Sequence, residues 1–243
     1  MIFPPFFIRN INKITRHVGL LVLENKPKNN ESILLTNLVL SHHIDLILDV
    51  GANAGQSAIK FLKLGYTGRI LSFEPILSAF NNLKKRSEKY GNWTPFQTAI
   101  GAENGEIEIN VAGNIESSSV LEMLDKHKKA APESQNTTIQ KTKIQTLNSF
   151  FPNYIDQKNN IFLKIDVQGY EPMVLMGADQ ILPFVKIIQI ELSLVPLFKG
   201  SPLYKEIILM LEQNGFKLFS LLPGFSDPIS GQLYQMDGIF IRE

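Results

Sequence analysis

From Ile44 onward the chain alternates short apolar runs with stretches whose apolar positions recur at helical spacing, the signature of βαβ units around a parallel sheet. Strands are predicted over residues 44–50, 69–74, 94–100, 161–167 and 186–192, and helices over 55–64, 76–90, 171–177 and 201–214. Gly215 stops the last helix, as glycine does just past a C-terminus. Residues 216–222 and 233–241 read as two further strands joined by the turn-rich stretch 223–231. That connection is too short for a crossover helix, so an antiparallel pair is expected at the sheet edge. Residues 105–111 alternate charged and apolar side chains, which predicts a half-exposed strand in a surface hairpin. The polar stretch 112–138, with a short helix expected at 120–129, is long enough to be a lid or binding loop. Ahead of the sheet, residues 11–23 and 32–42 carry helical periodicity, with Lys26-Pro27-Lys28-Asn29-Asn30 as a loop between them. The expected organisation is a helical extension over 1–43 and one α/β domain over 44–243.

Composition narrows the classes. A chain of 243 residues with 44% hydrophobic content can bury one sizeable core and leaves little for a second domain. The formal charge is +3 over residues 1–43 and −2 over the rest, so neither part suggests a nucleic-acid groove. Cysteine is absent, which excludes disulfides, thiolate metal sites and cysteine nucleophiles and is compatible with a cytoplasmic location. No apolar run approaches the roughly 20 residues needed to span a bilayer. Met1–Ile8 is apolar, but it lacks a basic start and is broken by Pro4-Pro5, so a signal peptide is not expected. It reads as an arm on the surface; Phe3, Phe6 and Phe7 with Arg9, Lys13 and Arg16 also fit an interfacial anchor at a membrane.

Candidate chemistry gathers at the predicted strand tips, beyond whose carboxyl ends open α/β sheets bind ligands. Asp49-Val50-Gly51-Ala52-Asn53-Ala54-Gly55 closes the first strand with a turn in which Gly51 and Gly55 allow tight backbone and Asn53 tolerates a left-handed conformation. Glu74 ends the second strand 23 positions after Gly51, near the roughly 20 expected for a carboxylate that accepts from both ribose hydroxyls. Asp49 would repel a pyrophosphate and attract the ammonium and sulfonium of S-adenosylmethionine, so a methyl donor is favoured over a dinucleotide. Lys164 and Asp166 share one side of a strand buried on both faces, where charges stand only if paired, with each other or with the site. Gln189, Glu191 and Ser193 alternate on one side of the next strand and end beside Asp166 if the two strands are neighbours. Two carboxylates at adjacent tips can serve as base and orienter for a hydroxyl substrate; an internal ion-pair network around Lys164 is the other reading.

Those segments, together with Ser117-Ser118-Ser119, Lys164-Ile165-Asp166-Val167-Gln168-Gly169-Tyr170-Glu171, Gln189-Ile190-Glu191-Leu192-Ser193 and Gln235-Met236-Asp237-Gly238-Ile239-Phe240, resemble the FkbM family of S-adenosylmethionine-dependent methyltransferases. The resemblance runs from about Ile44 to Arg242 and departs from the family at Asn148, where aspartate is common, and at Pro172. It implies a class I, Rossmann-like fold: a seven-stranded, mostly parallel sheet with an antiparallel edge pair and helices on both faces. It also implies O-methylation of a hydroxyl on a sugar, glycan or related secondary metabolite. Carried over by position, Gly51, Asn53 and Gly55 would line the methionine part of the cofactor, Glu74 its ribose, and Ala99 with Ile100 the adenine edge. Asp166 would lie near the amino group or the transferring methyl, with Asp49 also counted at the cofactor.

For the base that takes the acceptor's proton, Asp166 is preferred over Glu191. Ser117, Ser118 and Ser119 would either meet a polar acceptor or cap the helix starting near Val120, and Gln168 and Glu171 are placed on the acceptor side. His127 is the histidine that could swing over the site; a solvated loop position is its plainer reading. No spacing of His, Asp and Glu suggests a dedicated metal site, so a metal-free centre is expected, although Asp166 with Glu191 could hold a divalent cation weakly. Two rival functions are a nicotinamide-dependent oxidoreductase, disfavoured by Asp49 and by Asn53 in place of a middle glycine, and a non-enzymatic scaffold on the same sheet. The acceptor itself and the oligomeric state are open at this level.

Overall fold

Strands that are buried on both faces must run as near-continuous apolar segments, and the chain folds around such segments. The computed structural model describes residues 30–135 and 137–242. It divides into a unit over residues 1–41, in which helix α1 (Glu31–Ser41) is described, and a unit over 42–243. The helix expected at 11–23 and the aromatic arm lie outside the described residues.

In the larger unit the chain runs β1 (Leu46–Val50), α2 (Gln56–Lys63), β2 (Arg69–Phe73), α3 (Leu77–Ser87), β3 (Trp93–Phe96), β4 (Ala99–Ile100) and β5 (Gly105–Val111). It continues through α4 (Asp125–Ala130), β6 (Thr138–Gln145), β7 (Ile161–Ile165), α5 (Glu171–Met176), β8 (Val185–Ser193), α6 (Tyr204–Gln213), β9 (Lys217–Pro223) and β10 (Gln235–Ile241). Seven strands form one sheet in the order β3-β2-β1-β7-β8-β10-β9, parallel except for β10, which runs antiparallel between β8 and β9. The expected edge pair is therefore β10 with β9.

Alternation along the central strands sorts the faces. Leu46, Leu48 and Val50 of β1 and Ile161, Leu163 and Ile165 of β7 join a core with Val174 and Leu175 of α5 and Ile207 and Leu211 of α6. Phe162 points to the other face, where its ring meets Phe61 of α2 edge-on at 5.3 Å between centroids. Lys164 shares that face with Phe162, as Asp49 does with Ile47, by the two-residue period of a strand. From β1 the chain steps outward to β2, and from β7 it steps the opposite way to β8, so a crevice opens beyond the tips of β1 and β7.

Three expectations are corrected here. The strand expected over 94–100 is two: β3 lies in the main sheet, whereas β4 pairs with β6 in a separate three-stranded sheet of order β4-β6-β5. The break falls at Thr98, whose N–H bonds Phe96 O at 3.2 Å and whose hydroxyl donates to the carbonyls of Ala99 and Lys143, turning the chain. The strand at 105–111 exists, but its antiparallel partner is the distant β6, so the pair is no tight hairpin. The helix expected at 120–129 covers only Asp125–Ala130, because Ser119 is bridged to Asn110, whose amide nitrogen also donates to the carbonyls of Val120 and Leu121. The stretch around it is a packed wall, with Ala112, Met123 and Ala130 in a cluster with Leu197, Phe198 and Tyr234.

Candidate functional site

The crevice is a cavity of about 550 Å³ lined by the turn after β1, the tips of β2, β7 and β8, the turn into β4, and residues 114–120. Its organisation begins with a polar row that crosses the sheet. Trp93 Nε1 donates to Ser72 Oγ at 2.9 Å, and Ser72 Oγ donates to Asp49 Oδ2 at 3.3 Å. In register, Asp49 lies beside Ser72 on one flank and Lys164 on the other. Lys164 Nζ stands 3.2 Å from Asp166 Oδ2 and 4.0 Å from Asp49 Oδ1. Burial alone would lower the Lys164 ammonium, but the carboxylates of Asp166, Asp49 and Asp237 outweigh it and hold it above its ordinary value. Burial pushes the Asp49 carboxyl up, only partly offset by Lys164.

Asp49 therefore faces Lys164 within the protein and does not line the cavity. Expected to attract a cationic ligand directly, Asp49 has Lys164 as its neighbouring cation in this structure. Asp166, whose side chain is 38% exposed, does line the cavity. Asp166 Oδ1 accepts from Gln168 Nε2 at 3.1 Å, and the same nitrogen donates to Glu191 Oε2 at 2.8 Å. Gln235 Nε2 donates to that Oε2 at 2.6 Å. Burial, then the charges of Asp166, Glu171 and Asp237, raise the Glu191 carboxyl well above its ordinary value. The network reading of Lys164 and the site reading of Asp166 and Glu191 thus describe one connected cluster. Gln168 binds both acids from a left-handed backbone, φ 55°, which a non-glycine residue adopts at a cost of roughly 1 kcal/mol or more.

Glu74 reaches back to the first turn. Its Oε2 accepts from Asn53 N at 2.7 Å and its Oε1 from Ile76 N at 2.8 Å, while Gly51 N and Ala52 N both donate to Phe73 O. Burial raises the Glu74 carboxyl to about 7 against the lowering effect of those two N–H groups. Gly51, Asn53 and Gly55 all have positive φ, as a tight turn requires. The glycines answer to packing, however. A Cβ on Gly51 would fall 1.8 Å from Asp166 O, and one on Gly55 would fall 2.5 Å from the Trp93 ring, so Gly55 backs the turn and does not line the cavity.

Gly51, Asn53, Glu74, Ala99, Ile100, Ser117, Ser118, Ser119, Asp166, Gln168 and Glu191 all line the cavity; Asp49, Gly55 and Glu171 do not. Glu171, expected on the acceptor side, braces the turn after β7: its Oε1 accepts from Val167 N at 3.2 Å and Gly169 N at 3.1 Å, and burial raises its carboxyl to about 7. The serines cap no helix. Ser119 Oγ donates to Gln168 O at 2.7 Å, Ser118 Oγ accepts from Ala112 N at 3.0 Å, and Ser117 Oγ pairs with His127 Nε2 at 2.9 Å. His127 is buried between Phe198 and Phe225, not solvated, and burial lowers its basicity. Sequence reading missed Ser72, Trp93 and Gln235 as parts of this cluster; the polar Ser72 inside an otherwise apolar strand was the available signal. Among the described residues no group of three or more His, Cys, Asp or Glu could hold a metal ion.

The methyltransferase FkbM domain matches residues 49–218 of the chain. Solved structures of similar fold include a methyltransferase FkbM from Methylobacillus flagellatus KT, with 13% identity, TM-score 0.47, and coverage of 80% of this chain and 43% of that one. A putative caffeoyl-CoA O-methyltransferase from Staphylococcus aureus shares 11% identity at TM-score 0.49, over 97% of this chain and 92% of that one. TrmK of M. capricolum, solved with S-adenosyl-homocysteine, shares 10% identity at TM-score 0.47, over 85% and 68%. The chain spans less than half the length of the Methylobacillus protein. No curated protein matches it in sequence.

Proposed function

Because the chain belongs to the FkbM methyltransferase family, with a class I fold and S-adenosylmethionine as its cofactor, we propose that it methylates a hydroxyl oxygen of a sugar, glycan or related secondary metabolite. The cofactor supplies an electrophilic methyl group on a positively charged sulfur. The residues present fit such a group better than a dinucleotide. The Asn53 N–H that a pyrophosphate would need donates to Glu74, and the charge at the cavity wall is carboxylate. Glu74 retains a lone pair on each oxygen for a ribose diol, Gly51 and Asn53 supply the turn beside it, and Ala99 and Ile100 supply apolar wall for a base.

The observation that carries the reading is Asp166, an accessible carboxylate fixed by Lys164 and Gln168 in the cavity that Glu74 also lines. An alcohol must lose its proton during attack, and Asp166 takes it in this reading. Glu191, whose carboxyl burial and its acidic neighbours raise well above its ordinary value, orients the acceptor instead of competing for the proton. Lys164 Nζ, 3.2 Å from Asp166 Oδ2, fixes that carboxylate in place. Ser117 to Ser119 shape the wall of residues 114–120.

Transfer of an isotopically labelled methyl from S-adenosylmethionine to a glycosylated small-molecule extract, with the product bond identified by mass spectrometry, tests the reading. An O-methyl ether is expected; label solely on nitrogen or carbon overturns it. Asp166→Asn should lower turnover about 100-fold, within the range for a lost general base, with donor affinity changed less than about twofold. Full turnover in that variant removes Asp166 as the base.

A further inference from the structure

The cavity wall beyond the tip cluster is acidic. Glu116 and Glu133 line it with exposed carboxylates, in addition to Asp166 at the tip of β7. Among the described residues Lys164 is the lining cation, and its ammonium is already engaged by Asp166 and Asp49. The backbone N–H of Asn53 is taken by Glu74, and Ser119 Oγ gives its proton to Gln168 O. At the wall formed by Glu116 and Glu133, a phosphate or carboxylate on the acceptor would thus meet like charge and no cation without a partner of its own. A second observation marks this wall as a ligand surface. His127 is 2% exposed and lines the cavity, yet its Nδ1 has no hydrogen-bond partner, and Asn114 Oδ1 on the same wall is also unsatisfied. Buried polar atoms are seldom left so, and both flank Glu133: Asn114 Nδ2 donates to Glu133 Oε1 at 3.4 Å, and the Glu133 charge acts on His127.

Resting on the O-methyl transfer above, we propose that the acceptor is a hydroxyl compound carrying a protonated amine and no phosphate or carboxylate: an amino-polyol, and not a nucleotide-linked sugar, a phosphorylated sugar or a nucleic acid. Its ammonium is drawn to Glu116 and Glu133 while its hydroxyl meets Asp166. At separations of a few ångströms each rim carboxylate is worth about fivefold to tenfold in preference for a cation over a neutral analogue, and salt weakens it.

Protein loaded with S-adenosylhomocysteine, titrated with glucosamine, glucose and glucose 6-phosphate while amide shifts are followed by NMR, tests the preference directly. Glucosamine should bind at least about tenfold more tightly than glucose 6-phosphate, with shifts at residues 114–119 and 127–133. The Glu116→Gln, Glu133→Gln double variant should lose most of that ratio while its affinity for S-adenosylhomocysteine, which reports a folded site, is unchanged. Equal or tighter binding of glucose 6-phosphate, or no shifts with any of the three, overturns the inference. Running the labelled transfer on an extract divided by ion exchange separates the two readings. O-methyl label in the cation-retained fraction supports both. O-methyl label confined to the neutral or anion-retained fractions overturns the amine requirement and leaves O-methylation standing, whereas N-methyl label alone sinks both.

Discussion

At the residue scale, the proposed ribose contact of Glu74 couples donor binding to a proton. Its folded carboxyl titrates near 7 because burial outweighs two backbone N–H bonds. An ionised carboxylate accepts from two ribose hydroxyls where the neutral acid must give up one acceptor site, so donor affinity should rise from pH 6 to pH 8. Calorimetric titration of Glu74→Gln should show affinity for S-adenosylhomocysteine about tenfold lower at pH 8 and a flat profile across that range; a persisting slope would assign the titration to another group. Gly51 is constrained from another direction. With φ +76° and a virtual Cβ 1.8 Å from Asp166 O, Gly51→Ala should lose about 3 kcal/mol in urea unfolding, from the left-handed backbone and overpacking together. Sequence showed that glycine was needed there, but not that the neighbour demanding it was the tip of β7.

At the element scale, β1 and β7 are each buried from end to end although each carries a charged residue, and only their pairing makes this tolerable. Lys164→Met would leave the carboxylates of Asp49 and Asp166 without their shared cation, and chemical denaturation should register a loss of about 3–5 kcal/mol, the range for removing one partner of a buried pair. Adding Asp49→Asn should recover part of that loss, since one stranded carboxylate is then neutral. The same scale explains what the hydrophobic pattern did and did not make legible. β1, β2, β7 and β8 stand within two residues of their predicted bounds because their burial on both faces writes long apolar runs. By contrast β6, Thr138–Gln145, is largely polar and pairs with β5 across the surface, where Lys141 meets Glu108 at 3.6 Å, so no apolar period marked it. The short α4 was displaced because Asn110 bonds, remote in sequence, keep the residues around 119–121 out of helix.

Across the whole molecule, several acids near the tips are held above their ordinary range. In the folded protein Glu74 and Glu171 titrate near 7, whereas in the unfolded chain they titrate near 4.5. Between those values the folded state binds protons that the unfolded state has released, so their contribution to stability is fully present below pH 4.5 and is lost as pH rises through about 7. Thermal unfolding of the cofactor-free protein should therefore shift to lower temperature between pH 5 and pH 8. Glu171→Gln, whose amide oxygen can still accept from Val167 N and Gly169 N, should reduce that shift; an unchanged profile would place the titrating groups elsewhere. No described helix is long and apolar enough to cross a membrane. The sequence alone determined the α/β class, the antiparallel closing pair and the residue types gathered at the strand tips, since burial period and turn chemistry are local properties of the chain. The tertiary structure decided which acid faces the cavity: Lys164 meets both Asp49 and Asp166, but the register of β1 with β7 buries the first inside the sheet and leaves the second exposed at the tip. That outcome depends on alignment between segments more than a hundred residues apart, which no local pattern encodes.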